Sequence, residues 1–110
     1  MESNKILSLL GFAAKAGKLS FGTHATTYAI TSKKAKLVCA AEDISEKSVK
    51  ELKFNASKVG IPVIILKGIS TQLVSQRIGK NCGILAVNDH GFAKALLEKQ
   101  SETIEGGIDL

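Results

Sequence analysis

Three short apolar runs, Leu37–Ala41, Val63–Leu66 and Ile84–Val87, place the tightest limit on how this chain can fold. Each is too short for a core helix, and none alternates apolar with polar residues. The stretches between them carry apolar residues at helical spacing. Strands without alternation are covered on both faces, because a solvent-facing side would call for polar residues. Helices interleaved with such strands predict an α/β fold, a three-layer α/β/α sandwich around a small mixed sheet.

The flanking patterns fill in the layers. Ile6, Leu9, Leu10 and Ala13 predict a helix over residues 4–16, started by Ser3 or Asn4 and ended by Gly17. Leu19, Ser20 and Phe21 read as a short extended piece. A second helix over residues 23–33 turns Thr26, Ala29 and Ile30 inward. Ser45 is a good N-cap, and Ile44 and Val49 on either side form a hydrophobic staple. Val49, Leu52, Ala56 and Val59 then line one face until Gly60 and Pro62 stop the helix. A shorter helix over residues 70–78 carries Leu73, Val74 and Ile78. The last, capped by Asn88 or Asp89, carries Phe92, Ala93, Leu96 and Leu97. Residues 1–97 thus form one domain, and residues 98–110 are expected to be an acidic, flexible C-terminal tail.

Charge is distributed unevenly along the 110 residues, whose net charge is +5. Residues 1–97 hold 14 basic and 6 acidic side chains, whereas residues 98–110 hold four acids against Lys99. Each Lys or Arg that meets a phosphate releases a counterion, so a basic body favours a polyanionic partner. Solubility explains the same composition equally well. At 45% hydrophobic the chain can bury a core, and it lacks the run of about 18 apolar residues that would cross a bilayer. With Glu2 near the start and no signal-peptide cleavage pattern, a cytoplasmic protein with no membrane partner is expected.

Catalytic readings fail on residue chemistry. The stretch Gly11 to Ser20 looks phosphate-cradling, but its glycine spacing is one too long for a P-loop and Leu19 follows Lys18. Cys39 and Cys82 lack metal-ligand spacing, and Cys39 falls in the middle of a core strand, where a thiolate is disfavoured. The adjacent acids Glu42 and Asp43 point in opposite directions from a strand end and make a poor acid–base pair. No enzyme, cofactor or metal is expected.

One constellation does converge at an end of the sandwich. It joins the helix start Gly22-Thr23-His24, the acids Glu42-Asp43, and the loop Gly79-Lys80-Asn81-Cys82-Gly83, with Lys33, Lys34 and Lys36 as flanking charge. A helix start offers free N–H donors to anions. Glycine permits close backbone approach, and Lys80 and Asn81 can reach phosphates or base edges. Mixed polar loops of this kind read bulged or non-canonically paired RNA bases. The same residues are also consistent with tight turns at Gly22 and Gly79 and a solvated acid at Glu42.

The order Gly22-Thr23, Thr27, Ala29-Ile30, then Ala35-Lys36-Leu37-Val38, Ala41-Glu42-Asp43, Ile61-Pro62-Val63 and Ile78-Gly79-Lys80 resembles the ribosomal-protein family that recognises kink-turn RNA. The resemblance spans about residues 6–97, and Gly91-Phe92-Ala93-Lys94 is similar to its bacterial YlxQ-like branch. It implies a thirty-e-like fold and a non-catalytic RNA-binding protein, partnered by kink-turn or related structured RNA, the ribosome included. Carried onto this chain, the recognition residues are Gly22, Thr23 and Glu42, with the late loop at Lys80, Asn81 and Cys82. In strong kink-turn binders the next positions are Asn and Glu, followed by a Lys. Here they are His24, Ala25 and Tyr28, and Val74-Ser75 stands where Leu-Gly is usual. His24 and Tyr28, four apart on one helical face, can stack on bases or donate hydrogen bonds, Lys33 adds charge, and Glu42 would accept a bond from a base or orient Lys33. The alternative is a protein–protein interaction module on the same fold that has lost kink-turn specificity.

Overall fold

The computed structural model describes residues 2–104. Along the chain run α1 (Glu2–Lys15), β1 (Leu19–Phe21), α2 (Gly22–Thr31), β2 (Leu37–Ala41), α3 (Glu46–Ser57), β3 (Val63–Leu66), α4 (Thr71–Ile78), β4 (Ile84–Val87) and α5 (His90–Ile104). The strands form one mixed sheet in the order β1-β4-β2-β3. β4 pairs antiparallel with both β1 and β2, and β2 pairs parallel with β3.

β2 is central, and all five of its residues are buried, as its unbroken apolar run requires. Leu37, Cys39 and Ala41 pack with Ile6 and Leu10 of α1, Val74 of α4 and Leu96 of α5. On the opposite face Val38 and Ala40 meet Ile30 of α2 and Leu52 and Ala56 of α3. The period-two alternation of a strand therefore divides one apolar run between two helical layers. β3 departs from the expected burial: Val63, Ile64 and Ile65 are half-buried, and Leu66 alone is fully enclosed. It is an edge strand with a neighbour on one side only.

The caps set the helix boundaries. Ser45 Oγ accepts from the Ser48 amide at 3.2 Å, and Ser70 Oγ accepts from the Leu73 amide at 3.2 Å. Asp89 takes the Phe92 amide at 2.9 Å, while Asn88 is diverted to Ser20 Oγ at 2.9 Å, tying β1 to the end of β4. α2 stops two residues before the expected end, because Lys33 turns left-handed at φ 63°. α5 instead continues beyond residue 97. Gln100, four residues after the buried Leu96 and on the same face, is itself buried and donates to the Ile65 carbonyl at 2.7 Å. The segment expected as a tail from residue 98 is thus helical as far as Ile104, and residues 105–110 lie outside the described residues.

At the end of the sheet where β2 exits, three segments are locked together. The Ala41 amide donates to Gly83 O at 2.7 Å, and the Glu42 amide to Ile69 O at 2.9 Å. Asp43 Oδ1 accepts both the amide and the hydroxyl of Thr71, at 2.9 and 2.8 Å. A Cβ on Gly83 would sit 2.3 Å from Thr71 Oγ1 and 2.9 Å from Ile44 Cδ1. Gly83→Ala should therefore destabilise the fold by about 1–3 kcal/mol through overpacking, read as a lower urea midpoint at unchanged slope. An unshifted midpoint would mean the junction is slack.

The same junction carries a pH dependence. The Thr71 hydroxyl and amide hold the Asp43 carboxyl below its ordinary 3.8. Its pKa is lower folded than unfolded, so the contribution is in place above about pH 4 and is lost as pH falls through the folded value. Asp43→Asn should give a shallower decline of Tm than the parent chain as pH drops from about 5 to 2. Parallel curves would contradict this.

Candidate nucleic-acid interface

Gly22 opens α2 at φ 88°, a left-handed conformation that glycine adopts without strain. The N-cap position falls on Phe21, in extended conformation, whose side chain has no oxygen to accept a helix amide. The start of α2 therefore has no side-chain cap from Phe21, and the leading amides after Gly22 remain donors for an outside group. Thr23, His24, Ala25 and Tyr28 are all exposed, Tyr28 to 70%. Thr26, Ala29 and Ile30 are buried as expected. The helix is held from beneath while its outer face is left to solvent.

The loop of residues 79–83 lies against that helix start. Gly79 ends α4 in a left-handed turn at φ 77°. Ser75 then pins the loop from the helix: its hydroxyl donates to Cys82 O and accepts from the Cys82 amide, both at 3.1 Å. Burial pushes the Cys82 thiol above its ordinary value, opposed in part by a hydrogen bond from the Gly22 amide and by the Lys80 charge. That amide–thiol contact joins the loop to the first residue of α2. Lys80 Nζ lies 5.4 Å from the centroid of the Phe21 ring, a cation–π distance that draws the ammonium toward the start of α2. An open groove of about 770 Å³ runs alongside, from Asp43 and Thr71 past Gln72 and Gln76 to Lys80 and Asn81.

Most of the residues expected at the site are gathered here: Gly22, Thr23, His24, Ala25 and Tyr28 on α2, and Lys80, Asn81 and Cys82 on the loop. Glu42 lies at the same end, but its carboxylate accepts from the Gly68 amide and braces the approach to α4. Lys33 is separated from them. It follows the C-terminus of α2, a helix of ten residues and so about 15 Å long. Lys36 beside it donates its amide to Val87 O, at the far end of β4. The expected pairing of Glu42 with Lys33 is therefore corrected: α2 runs the length of the sheet and holds them at opposite ends.

Thr71 and Ser75 complete the site, although neither was expected to contribute to it. They sit four apart on α4, so the Ser70 cap that phases the helix also places both hydroxyls on one face. The Val74-Ser75 departure from the family pattern thus has a physical role. Cys39 is a core residue, its thiol pushed up to about 12 by burial. Among the described residues no three His, Cys, Asp or Glu side chains cluster to hold a metal, and no helix is long and apolar enough to cross a membrane.

Comparison with known proteins places the chain in a family. Residues 4–97 match the ribosomal protein L7Ae/L30e/S12e/Gadd45 family. The chain is 38% identical over 102 residues to the RNA-binding protein YlxQ of Enterococcus faecium, covering 93% of each. Among solved structures it resembles a protein of unknown function from Bacillus halodurans at 30% identity, with a TM-score of 0.80 over 86% of this chain and 95% of that one. The 15.5 kDa RNA-binding protein of Giardia lamblia shares the fold at 16% identity, with a TM-score of 0.72 over 97% of this chain and 90% of that one. The match over nearly the whole chain, together with the fold, establishes that this protein belongs to the ribosomal protein L7Ae/L30e/S12e/Gadd45 family.

Proposed function

We propose that this protein is a non-catalytic RNA-binding protein of the cytoplasm that reads structured RNA, of the kink-turn or a related bent type and including ribosomal RNA, through the start of α2 and the loop of residues 79–83. The observation that carries this reading is the uncapped, glycine-opened α2 start held beside Lys80. It occurs in a chain whose relative from Enterococcus faecium is described as RNA-binding. Free amides and Thr23 receive phosphate or sugar oxygens. His24 and Tyr28, one turn apart and exposed, offer flat faces to unpaired bases. Asn81 supplies a donor and an acceptor for base edges, and Lys80 supplies charge. Cys82 and Gly22 hold the two parts in register. Lys33 contributes long-range attraction from the far end of the molecule.

Ala25 cannot accept a hydrogen bond from a guanine edge, so specificity for tandem G·A pairs rests on His24 and Tyr28. A kink-turn RNA should bind at physiological salt, and a matched RNA without its G·A pairs should bind at least about tenfold more weakly, some 1.4 kcal/mol. Equal binding would assign a different RNA target. No binding to either, nor to ribosomal RNA, would favour the protein-interaction alternative, for which the exposed Tyr28 is the natural contact.

Residue-level tests follow from the roles. Tyr28→Ala should cost about 1–3 kcal/mol of RNA affinity, the worth of one stacked base, and leave stability unchanged because the ring is 70% exposed. Lys80→Ala should weaken binding and lower the slope of log K against log salt by about one. Filter binding at several salt concentrations reads both, and an unchanged slope removes Lys80 from the phosphate contacts.

A further inference from the structure

A second cationic surface adjoins the first on the opposite helical layer. Arg77 of α4 lies along α1, its Nη1 3.4 Å from Ser8 Oγ. A Cβ built on Gly11 would meet Arg77 Cδ at 3.2 Å and Cγ at 3.4 Å. Gly11 has an ordinary helical φ, so no turn requires a glycine there, and glycine weakens a helix interior. What its missing side chain provides is room for the arginine stem. The guanidinium is thereby held over α1 with most of its donors unused.

Around it the lining is all of one sign. A cleft of about 220 Å³ is bounded by Gly11, Lys15, Phe21, Arg77 and Lys80, and a second of about 160 Å³ continues past Phe12 to Ser8. Three cations and no carboxylate line the first, and two cations and no carboxylate line the second. Phe12 stands 61% exposed at the margin. Lys80 borders both the first cleft and the groove of the α2 interface, so the two surfaces are continuous through one side chain.

We infer that the α1–α4 cleft is a second RNA-backbone site, in which Arg77 and Lys15 take phosphates of the strand leaving the primary interface past Lys80, with Phe12 stacking on an unpaired base beside them. This rests on the RNA-binding function proposed above. A planar guanidinium held in place suits two phosphate oxygens at once, and Lys15 adds a point charge. An exposed aromatic beside a positive groove is the arrangement that binds single strands without sequence preference. The cleft lengthens the footprint and leaves base recognition to α2.

The test compares the RNA bound most tightly in the titrations above, trimmed to its core, with the same RNA carrying about six unpaired nucleotides at its 5′ or its 3′ end. Six nucleotides fall within the roughly 4–16 that one single-strand site covers. The parent chain should bind one extended form at least about tenfold more tightly than the core. Lys15→Ala/Arg77→Ala, which changes two exposed residues, should bind the core within about twofold and lose the gain. Its salt slope on the extended RNA should fall by about 1.4, the value for two single-strand phosphates. Arg77→Glu should reverse the gain into a loss, and unchanged Tm values would show both variants folded. The inference is overturned if the parent chain binds core and extended RNAs alike, or if the double variant keeps the gain. A parent chain that binds no RNA overturns the proposed function itself, and this extension with it.

Discussion

Thr71 sits where three segments of the chain meet, and the geometry of the candidate interface depends on the two hydrogen bonds it donates to Asp43 Oδ1. Those bonds tie the first turn of α4 to the residues just beyond β2. The side chain packs so closely over Gly83 that no Cβ fits between them. One turn later Ser75 fastens the loop through Cys82, and the Gly22 amide meets the Cys82 thiol. A short path of polar contacts therefore fixes the loop of residues 79–83 relative to α2. An interface assembled from two loops and a helix start would otherwise be free to drift. Here its parts are referenced to the central strand.

That arrangement separates support from contact. Groups that bond one another at the sheet end, Asp43 Oδ1 with Thr71 and Ser75 with Cys82, commit those bonds to the fold. Groups that face outward, His24, Tyr28, Lys80 and Asn81, have no such obligation and stand on a rigid base. The cost of ordering the backbone that carries them has been met during folding, which reduces what binding must supply. The positive charge lies on side chains at the rim and across α1 and α4, where it attracts a polyanion from a distance without entering the core.

The fold was legible in the sequence because its decisive elements are local. β2 announces itself as an unbroken apolar run, and Ser45 with Ile44 and Val49 marks the start of α3 through contacts within a few residues. The outward face of α2 follows from placing Thr26, Ala29 and Ile30 inside. What escaped were features set by distant partners. The half-burial of β3 depends on strand order, which short-range pattern does not encode. The extension of α5 to Ile104 depends on Gln100 finding the Ile65 carbonyl, a contact across 35 positions of sequence. Glu42 and Lys33 read as neighbours because only a helix and a short connection separate them, yet that helix spans the molecule. Glu42 instead found Gly68, 26 residues on.

The bond from Gln100 has a consequence for how this molecule behaves among copies of itself. The Val38 amide bonds Pro62 O, and the parallel pairing of β2 with β3 then turns alternate residues of β3 inward, which leaves the Ile65 carbonyl pointing away from the sheet. β3 has three half-exposed apolar residues and an unpaired rim, the combination that invites another chain to add a strand. The Gln100 amide occupies that outward carbonyl. The last turns of α5, read from composition as an acidic appendage, thus occupy one outward carbonyl of the open edge, and a chain shortened before Gln100 would return that carbonyl to the unpaired rim.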